Sequence, residues 1–242
     1  MAGLAIDTAR VDRYWRETFG LSEADYRRPG VVVCPHSQKL AGRNACWVFL
    51  HAQTCLVSTP APLVAEIRRR AQRIPLETML DEETLYGLFP ERVARTVGPS
   101  YQGFTEAEGF RPYQGPTVRR VSPSERIQVR QFLSECAPQE REDSGLHEDA
   151  EPLFAGFDGT QLVALGGVLA CAPYAANPGV IAHPLRRGRG FGKAVASAAM
   201  AYILTQGQVV LYQTLLSNRA AVAIAKALGC QSYARMVYIG LR

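Results

Sequence analysis

The feature that most restricts how this chain can fold is a run of glycines and basic residues between two apolar segments. It reads Arg186-Arg187-Gly188-Arg189-Gly190-Phe191-Gly192-Lys193. Residues 179–183 before it read as a short strand. Residues after it read as a helix of small side chains, with Val195, Ala198, Ala199 and Tyr202 on one face. A strand that passes through a glycine turn into a helix is a device for holding phosphate: the backbone comes close, several N–H groups converge, and the helix N-terminus adds partial positive charge. Single residues exclude the two commonest versions. A Walker loop needs glycine at Arg187 and Ser or Thr at Ala194, and the dinucleotide pattern Gly-x-Gly-x-x-Gly needs glycine at Lys193.

The elements around this turn follow a definite order. Residues 117–121 read as a strand. Ser122-Pro123-Ser124-Glu125 is a helix start with a serine cap, a proline in the first turn and a glutamate closing a capping box. Val129, Phe132, Leu133 and Cys136 continue it as an apolar stripe. The acidic residues 139–151 read as a loop or a second short helix, and residues 153–157 and 162–171 read as a hairpin turning at Asp158-Gly159. Beyond the glycine turn and its helix come a strand over 209–215, a helix carrying Ala221, Ile224, Ala225 and Leu228 that stops at Gly229, and a last strand over 233–241.

What remains of the pattern is Arg-x-x-Gly-x-Gly, on Arg187, Gly190 and Gly192, preceded by Pro184 and followed by Asn218-Arg219-Ala220-Ala221 and Ala227-Leu228-Gly229-Cys230. Two such motifs in this element order over residues 117–242 resemble the GNAT acyltransferase superfamily. Cys230 stands where that family commonly has phenylalanine. The resemblance implies an α/β (α+β) fold with a mixed, mostly antiparallel sheet flanked by helices, and acetyl-CoA as cosubstrate. It implies that Arg187, Gly188, Arg189, Gly190, Phe191, Gly192 and Lys193 cradle the pyrophosphate, largely through backbone amides. The main chain of Ile181, Ala182 and His183 would pair with the pantetheine arm on an edge left open where the fourth and fifth strands splay. Asn218 would either contact the pantetheine or cap the last helix.

For such an enzyme the expected reaction is direct attack of a primary amine on the thioester, with a main-chain N–H near Ala182 or His183 as oxyanion donor. The tyrosine that many family members use to protonate the leaving thiolate is replaced here by Ala225. Tyr212, Ser217 and Tyr233 are alternative acids or packing residues. His183, Glu148 and Glu151 are candidate bases, against a structural histidine and a solvated acidic loop. A chain with these motifs and Ala225 could also bind acyl-CoA without turnover.

Residues 1–115 carry no catalytic motif. A helix capped by Asp7 and ending at Gly20, strands over 31–34 and within 45–58, and a helix opening at Thr59-Pro60 suggest a smaller α/β domain, possible as a degenerate GNAT-like partner to a domain over 116–242. Residues 75–115 read as short helices and a connector. The six cysteines form no Cys-x-x-Cys pair and have no zinc-spaced histidines, so reduced thiols and no metal are expected. The start lacks a basic leader with an apolar run, and no apolar stretch reaches the roughly 20 residues of a membrane helix. The expected setting is cytoplasmic, without membrane. The net charge of +5, from 27 Lys and Arg against 22 Asp and Glu, suits a polyanionic cofactor. Nucleic acid is the less favoured partner of that charge, a small-molecule amine the expected acceptor, and a homodimer an option by analogy.

Overall fold

The computed structural model describes residues 7–242, which divide into two compact units. The first comprises residues up to 103 together with 213–222 and 232–242. The second comprises 104–212 and 223–231.

In the first unit, α1 (Ala9–Phe19) begins where the Asp7 carboxylate accepts the Ala9 N–H at 2.9 Å, and it stops at Gly20, whose φ is +68°. The short helix α2 (Glu23–Tyr26) follows. The strands β1 (Gly30–Pro35), β2 (Ala45–His51) and β3 (Thr54–Thr59) come next, then α3 (Val64–Ala71), α4 (Glu82–Leu88) and β4 (Val93–Thr105). The last strand of the chain, β10 (Gln231–Leu241), lies antiparallel on β2, with Val237 opposite Val48, so the sheet order is β1-β3-β2-β10-β4. Both faces of β2 are buried because both carry helices. Cys46 and Val48 join Ile67, Leu85 and Leu88 in one core, while Phe49 on the other face packs 4.6 Å from the Trp15 ring of α1. Burial of this kind raises the thiols of Cys34 and Cys46 to about 11 and Cys55 to about 12.

Of residues 75–115, read as short helices and a connector, the short helices are present at Leu76–Thr78 and α4, while β4 corrects the connector. Thirteen residues of that stretch form one strand. Its sequence Val-Gly-Pro-Ser carries turn signals, and its first half is exposed, so no apolar alternation marks it. The backbone is used nonetheless: the Pro99 carbonyl accepts the Leu216 N–H at 2.9 Å.

The second unit holds β5 (Val118–Arg120), α5 (Arg126–Glu135), α6 (Pro138–Ser144), β6 (Leu153–Asp158), β7 (Gln161–Ala172), β8 (Ala175–Ala182) and α7 (Phe191–Thr205). β9 (Val209–Leu215) and α8 (Arg219–Ala227) cross between the units. The capping box at Ser122 and Glu125 is formed, and Glu125 also receives Arg119; led by that guanidinium, its carboxyl is held at about 2. β5 to β8 form an antiparallel meander. Val129, Phe132 and Leu133 of α5 cover one face with Leu165 and Ile181, and α7 covers the other through Phe191 and Val195. That helix sits very close to the sheet. A Cβ on Gly166 would lie 2.6 Å from the Val195 carbonyl, which explains the small residues on both sides. In each unit the sheet is mixed, largely antiparallel and flanked by helices, the α/β (α+β) arrangement expected. Among the described residues no helix is long and apolar enough to cross a membrane.

Candidate functional site

β8 is paired unequally on its two sides. Its whole length is matched to β7, from Ala182 opposite Ala164 back to Ala175 opposite Ala172. On the other side it runs parallel to β9 only at Ala175–Val209 and Ala176–Val210. Residues 178–182 therefore have no strand partner on that side among the described residues. The His183 N–H is spent on the Val163 carbonyl at 2.9 Å, toward β7. Successive residues of a strand turn their N–H groups to opposite edges, so the Ala182 amide faces the open side and the Ile181 main chain faces β7.

After β8 the chain makes a single 3-10 turn (Pro184–Arg186) and enters the glycine turn. Gly188 and Gly190 have φ of +78° and +86°, the left-handed conformation that side chains resist, and Gly190 caps α7. The first bond of the helix runs from the Ala194 N–H to the Gly190 carbonyl at 3.0 Å. The amides of Phe191, Gly192 and Lys193 precede it and have no helical acceptor. A Cβ on Gly188 would meet nothing within 4 Å, so the backbone there lies open to a ligand. The turn is thus a cluster of donors at the positive end of a 15-residue helix.

The side chains of the turn behave differently from its amides. Arg187 donates to the Ala182 carbonyl at 3.3 Å and pairs with Glu140. Arg189 forks onto Asp158, and this contact holds the Asp158 carboxyl below the usual carboxylate range. Arg186 reaches Gln161 at 3.2 Å. Phe191 is buried in the core beneath α7. Among the described residues Lys193 has no carboxylate partner; its ammonium lies 3.7 Å from the centre of the Tyr113 ring. Tyr113 belongs to the stretch read as a connector, and neither motif nor periodicity marks it.

The remaining candidates are distributed over both units. His183 is largely buried; its Nδ1 accepts the Leu185 N–H at 3.3 Å and its Nε2 lies 3.6 Å from Glu135. An accepting Nδ1 places the ring proton on Nε2 in the neutral form. Glu148 receives Arg130 at 3.0 Å, and its own amide and that guanidinium hold its carboxyl low; it lines a cleft of about 560 Å³ with Arg141 and Leu146. Glu151 receives Arg126 at 2.6 Å. Ala225, at the position of the missing tyrosine, is wholly buried. In the first unit, Tyr233 donates to Asp12, contacts the Tyr26 hydroxyl at 2.7 Å and stacks on His51. Asn218 caps α8, accepting the Ala221 N–H at 3.1 Å. Among the described residues no group of three His, Cys, Asp or Glu side chains could hold a metal ion.

Residues 121–230 match the model of the Acetyltransferase (GNAT) family. No curated protein matches the chain. Among solved structures, a GNAT-family protein from Novosphingobium aromaticivorans DSM 12444 is 19% identical with a TM-score of 0.50, the match covering 62% of this chain and 67% of that one. An acetyltransferase from the GNAT family of Colwellia psychrerythraea is 20% identical with a TM-score of 0.50, covering 66% of this chain and 62% of its own, just under two thirds of its length. At these identities the likeness is one of fold.

Proposed function

We propose, from the match of residues 121–230 to the model of the Acetyltransferase (GNAT) family, that the chain transfers an acetyl group from acetyl-CoA to a primary amine of a small molecule. One observation carries this reading: within a single unit, the donor-rich turn at the start of α7 follows directly on the open edge of β8. The amides of Gly188 to Lys193 would hold the pyrophosphate, and the edge at residues 178–182 would pair with the amide-bearing pantetheine arm. The acetyl-CoA thioester supplies an activated carbonyl. The acceptor nitrogen attacks that carbon, the Ala182 N–H stabilises the oxyanion, the C–S bond breaks and the thiolate departs.

No protonating side chain is required for departure, since a thiol of pKa about 8.5 leaves tolerably as its anion. This suits the alanine at position 225. His183, with Nδ1 engaged by the turn and Nε2 facing Glu135, is read as a brace between β8 and the glycine turn, and the amine proton passes to water. The two glutamates, each held by an arginine of α5, are read as surface ion pairs. Asn218 is read as a helix cap and Tyr233 as a structural hydroxyl. The part of residues 1–115 that lies in the first unit, up to residue 103, is read as a companion α/β region without a coenzyme turn. The expected setting is the cytoplasm.

A thermal-shift titration with acetyl-CoA, followed by thiol-release assays over a panel of amines, tests the proposal. A rise in melting temperature together with thiol release on one amine is the expected result. The buried Ala225 favours a second reading, an acyl-CoA sensor, whose signature is the same thermal rise with no thiol release on any amine. No thermal rise at millimolar acetyl-CoA, with folded protein, overturns both. The pairing of Arg186, Arg187 and Arg189 with neighbouring side chains weighs against a nucleic-acid surface.

A further inference from the structure

We infer that Tyr113 is a binding residue of the coenzyme site, donating its phenolic hydrogen to a phosphate held on the glycine turn. This rests on the acetyl-CoA reading and deepens it. The segment that carries Tyr113 is secured at several points within the second unit. The Arg111 N–H donates to the Leu228 carbonyl at 3.0 Å, and the Tyr113 N–H donates to Ser197 Oγ at 2.9 Å, one turn along α7 from Lys193. The Gly109 carbonyl comes so close to Gly229 that a Cβ there would lie 2.0 Å from it. The strand of backbone from 109 to 113 therefore passes from the end of α8 onto the first turns of α7.

Two glycines shape the seat of the ring. A Cβ on Gly115 would lie 2.1 Å from Tyr113 Cε1, and a Cβ on Gly190 would lie 2.7 Å from Tyr113 Oη. The phenol runs along the face of α7 shared by Ser197, Lys193 and Gly190, with its hydroxyl at the helix N-terminus. Lys193 rests its ammonium on the ring at 3.7 Å, a cation–π contact that keeps both groups at the turn.

The chemistry of the neighbourhood gives this placement its meaning. The arginines of the turn already face Glu140, Asp158 and Gln161. Among the described residues, the Tyr113 hydroxyl has no hydrogen-bond partner and the Lys193 ammonium no carboxylate. These two side chains add a neutral donor and a positive charge to the open amides of the turn. A phosphate oxygen is the acceptor that such a set fits.

The test measures acetyl-CoA binding by calorimetry, with melting temperatures in parallel, for the wild type, Tyr113→Phe and Gly115→Ala. Tyr113→Phe keeps the ring and its contact with Lys193, so its melting temperature without ligand should match the wild type. Its affinity for acetyl-CoA should fall by roughly 10- to 100-fold, as for loss of a hydrogen bond to a charged group. Gly115→Ala, which unseats the ring while keeping the hydroxyl, should lose affinity in the same direction. Wild-type binding retained within twofold by Tyr113→Phe overturns the inference alone. Absence of wild-type binding overturns the coenzyme reading and this inference with it.

Discussion

The Tyr233 hydroxyl donates its proton to the Asp12 carboxylate, joining the last strand of the chain to its first described helix within one unit. The Tyr26 hydroxyl, 2.7 Å away, must then donate to Tyr233, and Arg27 reaches the other Asp12 oxygen at 2.9 Å. Burial raises both phenols well above their ordinary range. Tyr233→Phe leaves a buried acceptor and a buried donor without partners, and should cost about 1–3 kcal/mol. Urea unfolding monitored by tryptophan fluorescence would measure it. A midpoint unchanged from the wild type would show that the network carries no stability.

Gly192 offers a way to block the turn without unfolding it. It lies inside α7, and an added Cβ there would meet Ala182 and Ile224 only at ordinary distances of 3.8 Å. Gly192→Asp places a carboxylate in the first turn of the helix, where it favours the dipole by about 0.3–1 kcal/mol. The variant should melt at or above the wild-type temperature without ligand and show no rise with acetyl-CoA. Gly190→Asp is a poorer choice, because the left-handed backbone and the Tyr113 hydroxyl both resist a side chain there. A Gly192→Asp protein that still responds to acetyl-CoA would place the phosphate elsewhere.

Close packing of α7 predicts a strong effect at a position remote from any reacting atom. Gly166→Ala drives a methyl group against the Val195 carbonyl, and since that backbone cannot turn aside as a side chain would, we expect a loss of about 1–3 kcal/mol. Chemical denaturation would register it. Full stability would mean that the helix can lift from the sheet.

Glu125 is held at about 2 against an ordinary value near 4.5, chiefly by Arg119. A depressed carboxyl contributes stability that is present above the unfolded pKa and lost as pH falls through the folded one. Glu125→Gln should therefore melt below the wild type above about pH 5, with the gap narrowing toward pH 2. Parallel melts across that range would show it. A gap constant with pH would mean that only the uncharged hydrogen bonds of the capping box contribute.

Several elements of the second unit were readable because each has a local cause. The capping box at Ser122, the hairpin turn at Asp158-Gly159 and the stop at Gly229 depend on residues within a few positions of one another. The glycine turn is of the same kind, since positive φ at positions 188 and 190 selects glycine directly. β4 was missed because its strand character comes from neighbouring strands, while its own residues carry turn signals. Tyr113 was missed for a related reason: its role depends on Gly190, Lys193 and Ser197, which lie far along the chain.

By itself the sequence determined the order of elements in residues 117–242 and the position of the glycine turn, because helix caps, turns and apolar periodicity are short-range matters of sterics and hydrogen bonding. Tertiary structure alone decided that residues 213–222 and 232–242 return to the unit built by the first 103 residues, with Val237 of β10 opposite Val48 of β2. It also decided that the arginines of the turn are already paired, and that a tyrosine from the connector lies on it. Pairing of distant strands and charges is settled by the packing of whole faces, where many segments compete and no local residue pattern names the winner.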